Sequence, residues 1–170
     1  MNLAPIILFT YNRLSHTKQT IEALQKNELA KNSELFIYSD GGRDEESWDK
    51  VKIIREYLKT ISGFKNITVI QRETNIGLAQ NIIDGVTKIV NQYEKIIVLE
   101  DDIVTSPYFL NFMNDSLNFY EKTSKVWHIS GWNYPISNEN LEDVFLWRTR
   151  SSLLVCIAVC IGVGTTAATT

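Results

Sequence analysis

Apolar, β-branched runs open at Pro5, Glu34, Asn66, Lys95 and Val126, and successive runs start roughly 30 residues apart. That interval fits a strand, a crossover helix and their turns, so the pattern predicts repeating βαβ units. Between the runs the apolar spacing becomes helical. Ser15 stands where it can cap a first helix that buries Ile21 and Leu24, and Trp48, Val51, Ile54, Leu58 and Ile61 mark one face of a second. Leu78, Ile82, Val86, Ile89 and Val90 share one face of a third helix. A fourth is predicted to open with Ser106 as N-cap and Pro107 at the first helical position, turning Phe109, Phe112, Met113, Leu117 and Tyr120 inward. Five strands alternating with four helices predict an open, mostly parallel α/β sheet with flanking helices. Ligands of such sheets bind at the carboxyl ends of the strands.

Each predicted strand runs into a polar loop there: Thr10 to Arg13, Ser39 to Asp44, Arg72 to Gly77, Glu100 to Asp102, and Ser130 to Asn133. The fourth carries the most chemistry, because the apolar run from Lys95 ends in three consecutive carboxylates, Glu100, Asp101 and Asp102. Adjacent carboxylates at a buried strand end repel one another and are costly to desolvate, so a divalent cation or a ring of donors is expected to hold them ionised. Oxygen-only ligands favour magnesium or manganese, completed by phosphate oxygens and water. A solvated acidic turn is the competing reading, and Asn, Asp, Gly and Ser also populate turns for backbone reasons alone.

Composition narrows the class. The chain has 170 residues, 44% hydrophobic and 22% charged, which suits one globular domain with a substantial core. With 17 basic and 20 acidic residues the net charge is −3, and the basic residues occur singly, which argues against a nucleic-acid partner. Pro5 to Phe9 is too short for a signal-peptide core, so the N-terminus reads as cytoplasmic. Cys156 and Cys160, without nearby His, indicate neither a zinc site nor a disulfide framework. Neither GxGxxG after the first strand nor GxxxxGK[ST] occurs, which disfavours dinucleotide oxidoreductases and P-loop enzymes.

Four stretches, Pro5 to Arg13, Tyr38 to Gly42, Asn75 to Ala79 and Val98 to Asp102, stand in order at predicted strand ends. In this combination the chain resembles the GT-A class of nucleotide-sugar-dependent glycosyltransferases from residue 4 to about 150. The likeness is to the family-2-like enzymes and to the branch containing N-acetylglucosaminyltransferase I, whose acidic motif also reads EDD. It implies transfer of a sugar from a UDP-sugar to a glycan or glycoconjugate acceptor, with Mn2+ or Mg2+ and with inversion at the sugar. Thr10, Tyr11 and Arg13 would then line the nucleotide pocket, Arg13 reaching the base or the diphosphate, and Asp40 would accept a hydrogen bond from uracil. Asn75 and Gly77 would pack the third helix against the nucleotide. Asp102 would be the direct metal ligand, with Glu100 and Asp101 on the ribose, the sugar or metal-bound water. Each has a plainer alternative: a surface salt bridge for Arg13, a turn for Asp40, a helix cap for Gly77. Trp132 reads as a sugar platform or as packing, His128 as a core histidine, and His16 as solvated.

The chain departs from this pattern after residue 152, where Leu153 to Val163 is uncharged and apolar and Gly, Thr and Ala follow. Residues 1–152 are therefore expected to form the nucleotide-sugar-binding domain, incomplete on the acceptor side, with 153–170 an atypical tail. Eleven apolar residues fall short of the roughly 20 that span a bilayer, so no transmembrane segment is expected. A β-rich edge segment and a non-native chain end are the other readings, the latter preferred. The catalytic base is then not identifiable; Glu142 and Asp143 precede the last family-like strand without any placement at an acceptor. Two further classes stay open: a non-catalytic nucleotide-sugar or glycan-binding module, and a sugar nucleotidyltransferase. The second lacks its expected Gly-rich basic loop after the first strand.

Overall fold

The computed structural model describes residues 3–131 and 157–160. Strands β1 (Ile6–Thr10), β2 (Glu34–Ser39), β3 (Asn66–Gln71) and β4 (Lys95–Glu100) alternate with helices α1 (Leu14–Gln25), α2 (Glu45–Leu58), α3 (Leu78–Tyr93) and α4 (Phe109–Tyr120). β5 (His128–Ser130) and β6 (Ile157–Cys160) complete a six-stranded sheet ordered β3-β2-β1-β4-β6-β5. β1 to β4 are mutually parallel, whereas β6 runs antiparallel to both of its neighbours.

Every residue of β1 is buried, which explains its uninterrupted apolar run. Its alternating side chains build two cores. Ile6 and Leu8 join Ile37, Ile97 and Leu99 against Ile21 and Leu24 of α1, Ile54 and Leu58 of α2, and Leu110, Met113 and Leu117 of α4. Ile7 and Phe9 join Tyr38 and Ile96 against Ile89 and Val90 of α3 on the opposite face. Each buried Ile or Leu contributes about 1.5–3 kcal/mol of transfer free energy, so this two-sided burial fixes β1 as the central strand. Thr10 then pairs in register with Ser39, Ser39 with Gln71, and Phe9 with Glu100, which brings the four carboxyl ends to one rim.

Several sequence expectations shift. α1 starts at Leu14 with Arg13 in the N-cap position, and Ser15 lies inside the helix rather than capping it. The Arg13 carbonyl accepts from both the Thr17 N–H and the Thr17 hydroxyl at 3.0 Å, which fixes the earlier start. Ser106 and Pro107 stay in a turn ahead of α4, whose N-cap position is Tyr108. The cap comes instead from elsewhere in the chain: buried Asn27 accepts the Leu110 N–H at 2.9 Å through Oδ1, and Pro107 O accepts the Glu28 N–H. Leu78 and Phe112 are exposed rather than inward, Ile61 lies beyond the end of α2, and His128 is exposed rather than a core histidine. β5 opens at His128, two residues after the predicted start, and is separated from β4 by β6. Residues 157–160 of the apolar tail thus lie inside the sheet and not at its edge. Trp132, Asn133, Glu142 and Asp143 fall outside the described residues.

Candidate functional site

The rim at the carboxyl ends of β1, β2 and β4 encloses a cavity of about 230 Å³. Its lining includes Thr10, Tyr11 and Arg13 after β1, Asp40 after β2, Asn75 and Gly77 before α3, and Glu100 and Asp101 at the end of β4. The structure therefore gathers these eight candidate residues into one concave site. Asp102, the candidate metal ligand, does not line the cavity; its half-exposed side chain stands beside it, joined through Arg13.

Two loops are fastened together to form one wall. Asp40 is buried, and its carboxylate accepts three backbone N–H groups: Gly41 at 2.9 Å and Ile76 at 3.1 Å on Oδ1, and Gly77 at 3.1 Å on Oδ2. Asn75 returns the tie by donating to the Gly41 carbonyl at 2.8 Å. The approach is so close that a Cβ on Gly41 would lie 2.4 Å from the Thr74 carbonyl carbon. Gly77, in the N-cap position of α3, adopts φ 82° and ψ 157°, a region accessible essentially to glycine alone. The first turn of α3 opens at this wall, and its N-terminal amides and dipole favour an anion.

Opposite lies the acidic strand end. Arg13 donates from one nitrogen, Nη2, both to Asp101 Oδ1 and, at 3.0 Å, to Asp102 Oδ2. The second oxygen of Asp101, Oδ2, is buried with no hydrogen-bond partner among the described residues. Burial pushes the Asp101 carboxyl up from its ordinary value, against the opposing hydrogen bond from Arg13. Glu100 is also raised, first by burial and then by the charges of Asp102 and Asp101. Arg13 in turn is held above its ordinary value by its hydrogen bond to Asp101.

A buried orphan carboxylate oxygen beside two further acids suits an oxygen-seeking divalent cation. Among the described residues, no group of three or more His, Cys, Asp or Glu side chains is placed to hold a metal by itself. The donor set thus fits a cation that takes part of its coordination from a ligand's phosphates and from water.

Phe9, Arg43, Leu78 and Asn81 complete the lining, although the strand-end motifs did not single them out. Arg43 had a legible signal, as a cation directly after Gly41 and Gly42; its Nε donates to Asn75 Oδ1 at 3.3 Å. Arg55, in the middle of α2, had none. It donates to the carbonyls of Ser39, Asp40 and Arg72, pinning the ends of β2 and β3, and stacks over Trp48. Arg72 braces the wall from behind through Asn81, at 3.1 Å, and Asp84, at 3.3 Å.

Comparison with known proteins decides the family. The profile described as "Glycosyl transferase family 2" matches residues 6–145. The chain belongs to this family. No curated protein matches it. Among solved structures, the mannosyltransferase PcManGT from Pyrobaculum calidifontis, in complex with GDP-Man and Mn2+, superposes with a TM-score of 0.54 at 12% identity. That match covers 75% of this chain and 34% of the other. S. aureus TarS follows with a TM-score of 0.50 at 18% identity, over 70% of this chain and 20% of TarS. This glycosyl transferase family 2 chain therefore spans about a third and a fifth of those two proteins, and at such identities the likeness establishes the GT-A fold. No helix among the described residues is long and apolar enough to cross a membrane.

Proposed function

We propose that this family 2 chain carries the donor site of a metal-dependent glycosyltransferase. It would bind a UDP-sugar with Mn2+ or Mg2+ and transfer the sugar to a glycan or glycoconjugate. In this reading residues 1–152 hold the donor-binding domain, near the N-acetylglucosaminyltransferase I-like branch. The observation that carries the proposal is the cavity that brings Arg13, Asp40, Glu100 and Asp101 together with the start of α3, with Asp101 keeping one buried oxygen that has no partner among the described residues. PcManGT, with its nucleotide sugar and Mn2+, supports the same general chemistry.

Asp40 favours uracil. An ionised carboxylate offers about four lone-pair sites, and backbone amides already occupy three of those on Asp40. One acceptor remains, matching the single ring N–H of uracil better than the paired donors of guanine. Ligand pockets usually measure about 300–1,000 Å³. A cavity of about 230 Å³ therefore suits the nucleoside, with the diphosphate leading outward toward Arg13 and Asp102.

A divalent cation on Asp102 would stabilise the charge that develops on the departing nucleoside diphosphate. Of the chain's own groups, Arg13 with its planar donor fork would hold that leaving group in place. Calorimetric titration of UDP and of GDP, with and without Mn2+, tests the reading once circular dichroism has established folding. Saturable, Mn2+-dependent binding that prefers UDP and is lost in Asp102→Asn is expected. A folded chain that binds neither nucleotide overturns it.

A further inference from the structure

We propose that Arg13 is a resident counter-cation of the acidic strand end. It competes with the divalent cation for Asp102 and is drawn away by the donor's diphosphate, so that metal and nucleotide bind with positive coupling. This rests on the donor-site reading above.

The geometry is that of a placeholder. A single nitrogen of Arg13 bridges carboxylates from adjacent residues, as a small cation would, and occupies Oδ2, one of the two Asp102 oxygens that could take a metal. It satisfies the cluster incompletely. Asp101 is only 4% exposed, yet its Oδ2 keeps no partner among the described residues. Arg13 is also able to leave, because its side chain is 44% exposed and its backbone stands in the N-cap position of α1, outside the regular helix.

A guanidinium and a divalent ion sharing one carboxylate repel each other, and at contact distance near a protein surface this weakens metal binding by about tenfold or more. A diphosphate offers the same guanidinium a better partner, since phosphate oxygens match its planar fork. Moving Arg13 onto the diphosphate frees Asp102 as the leaving group arrives. By linkage, the factor by which nucleotide strengthens metal binding equals the factor by which metal strengthens nucleotide binding.

Mn2+ binding to the full chain, followed through the electron paramagnetic resonance signal of the free ion with and without UDP, tests this in wild type, Arg13→Gln and Arg13→Lys. Without UDP, Arg13→Gln is expected to bind Mn2+ about tenfold or more tightly than wild type, while Arg13→Lys, which keeps the charge, stays closer to wild type. UDP is expected to strengthen Mn2+ binding by a smaller factor in Arg13→Gln than in wild type. If Arg13→Gln does not fold, Arg13→Met carries the same expectation. Unchanged or weaker Mn2+ binding by the folded neutral variant, with wild type binding metal, overturns this inference alone. A folded wild type that binds no Mn2+ even with UDP overturns the donor-site reading, and this inference with it.

Discussion

Asp40, at the end of β2, holds Gly77 at the start of α3, its Oδ2 accepting the Gly77 N–H at 3.1 Å. The same carboxylate takes the N–H groups of Ile76 and Gly41, so one buried side chain sets the spacing of two loops that line the cavity. Hydrogen bonds to a charged group are worth about 1.5–3 kcal/mol each, and losing the acceptor also leaves amides unsatisfied. Asp40→Ala is therefore expected to lose about 2–4 kcal/mol of stability in chemical denaturation, and UDP affinity with it. Unaltered stability would refute the bracing role.

Gly41 and Gly77 predict different failures. At Gly41 a methyl group overlaps the Thr74 backbone, which cannot swing aside as a side chain could. Gly41→Ala is expected to cost about 1–3 kcal/mol through overpacking and to widen the wall, lowering nucleotide affinity. A Cβ on Gly77 meets open space, so the penalty there is backbone strain alone, again about 1–3 kcal/mol. Paired thermal melts and UDP titrations of the two variants check the distinction: Gly41→Ala should lose more affinity per unit of stability lost.

Arg55 supports the site without touching the cavity. Its guanidinium serves the carbonyls of Ser39, Asp40 and Arg72 at 3.3, 3.3 and 2.7 Å. A lysine has a point charge and no planar fork, so it cannot span these three acceptors. Arg55→Lys is expected to lower stability by about 1–3 kcal/mol, seen as an earlier denaturation midpoint.

Glu34 carries a pH signature. Its carboxyl is held below the ordinary value, first by the hydrogen bond from Lys65 at 3.0 Å and then by that from Tyr93 at 2.8 Å. A carboxylate lowered in the folded state adds stability that is present above its unfolded pKa and is lost as pH falls through the folded one. Glu34→Gln is expected to cost about 0.5–1 kcal/mol at neutral pH and nothing in strong acid. Melting curves of both chains from neutral pH into acid, where the difference must vanish, provide the check.

Much of the architecture was legible because the alternation of apolar runs and helical spacing is a local property. β1 to β4 and α1 to α4 all occur in the predicted order, although α1 and α2 begin earlier than predicted, and the polar residues after β1, β2 and β4 do meet in one cavity. Helix starts were less legible. The Ser106-Pro107 signal yielded to Asn27, a residue 83 positions before Leu110, because a buried acceptor that satisfies the Leu110 amide outweighs a local cap exposed to water. His128 looked like core from its apolar neighbours, but neighbours in sequence do not decide which face of a short strand is covered.

The sequence by itself determined the parallel α/β framework, the rim to which its polar loops lead, and the acidic triplet. Each of these follows from side-chain period and from charge over a few residues. Only the tertiary structure decided that β6 separates β4 from β5, that Asp40 serves backbone amides, and that Arg13 bridges Asp101 and Asp102 across 88 and 89 positions of chain. Those relationships are pairings between distant segments. Their partners are chosen by burial and by the need to satisfy polar groups away from water, which no local pattern encodes.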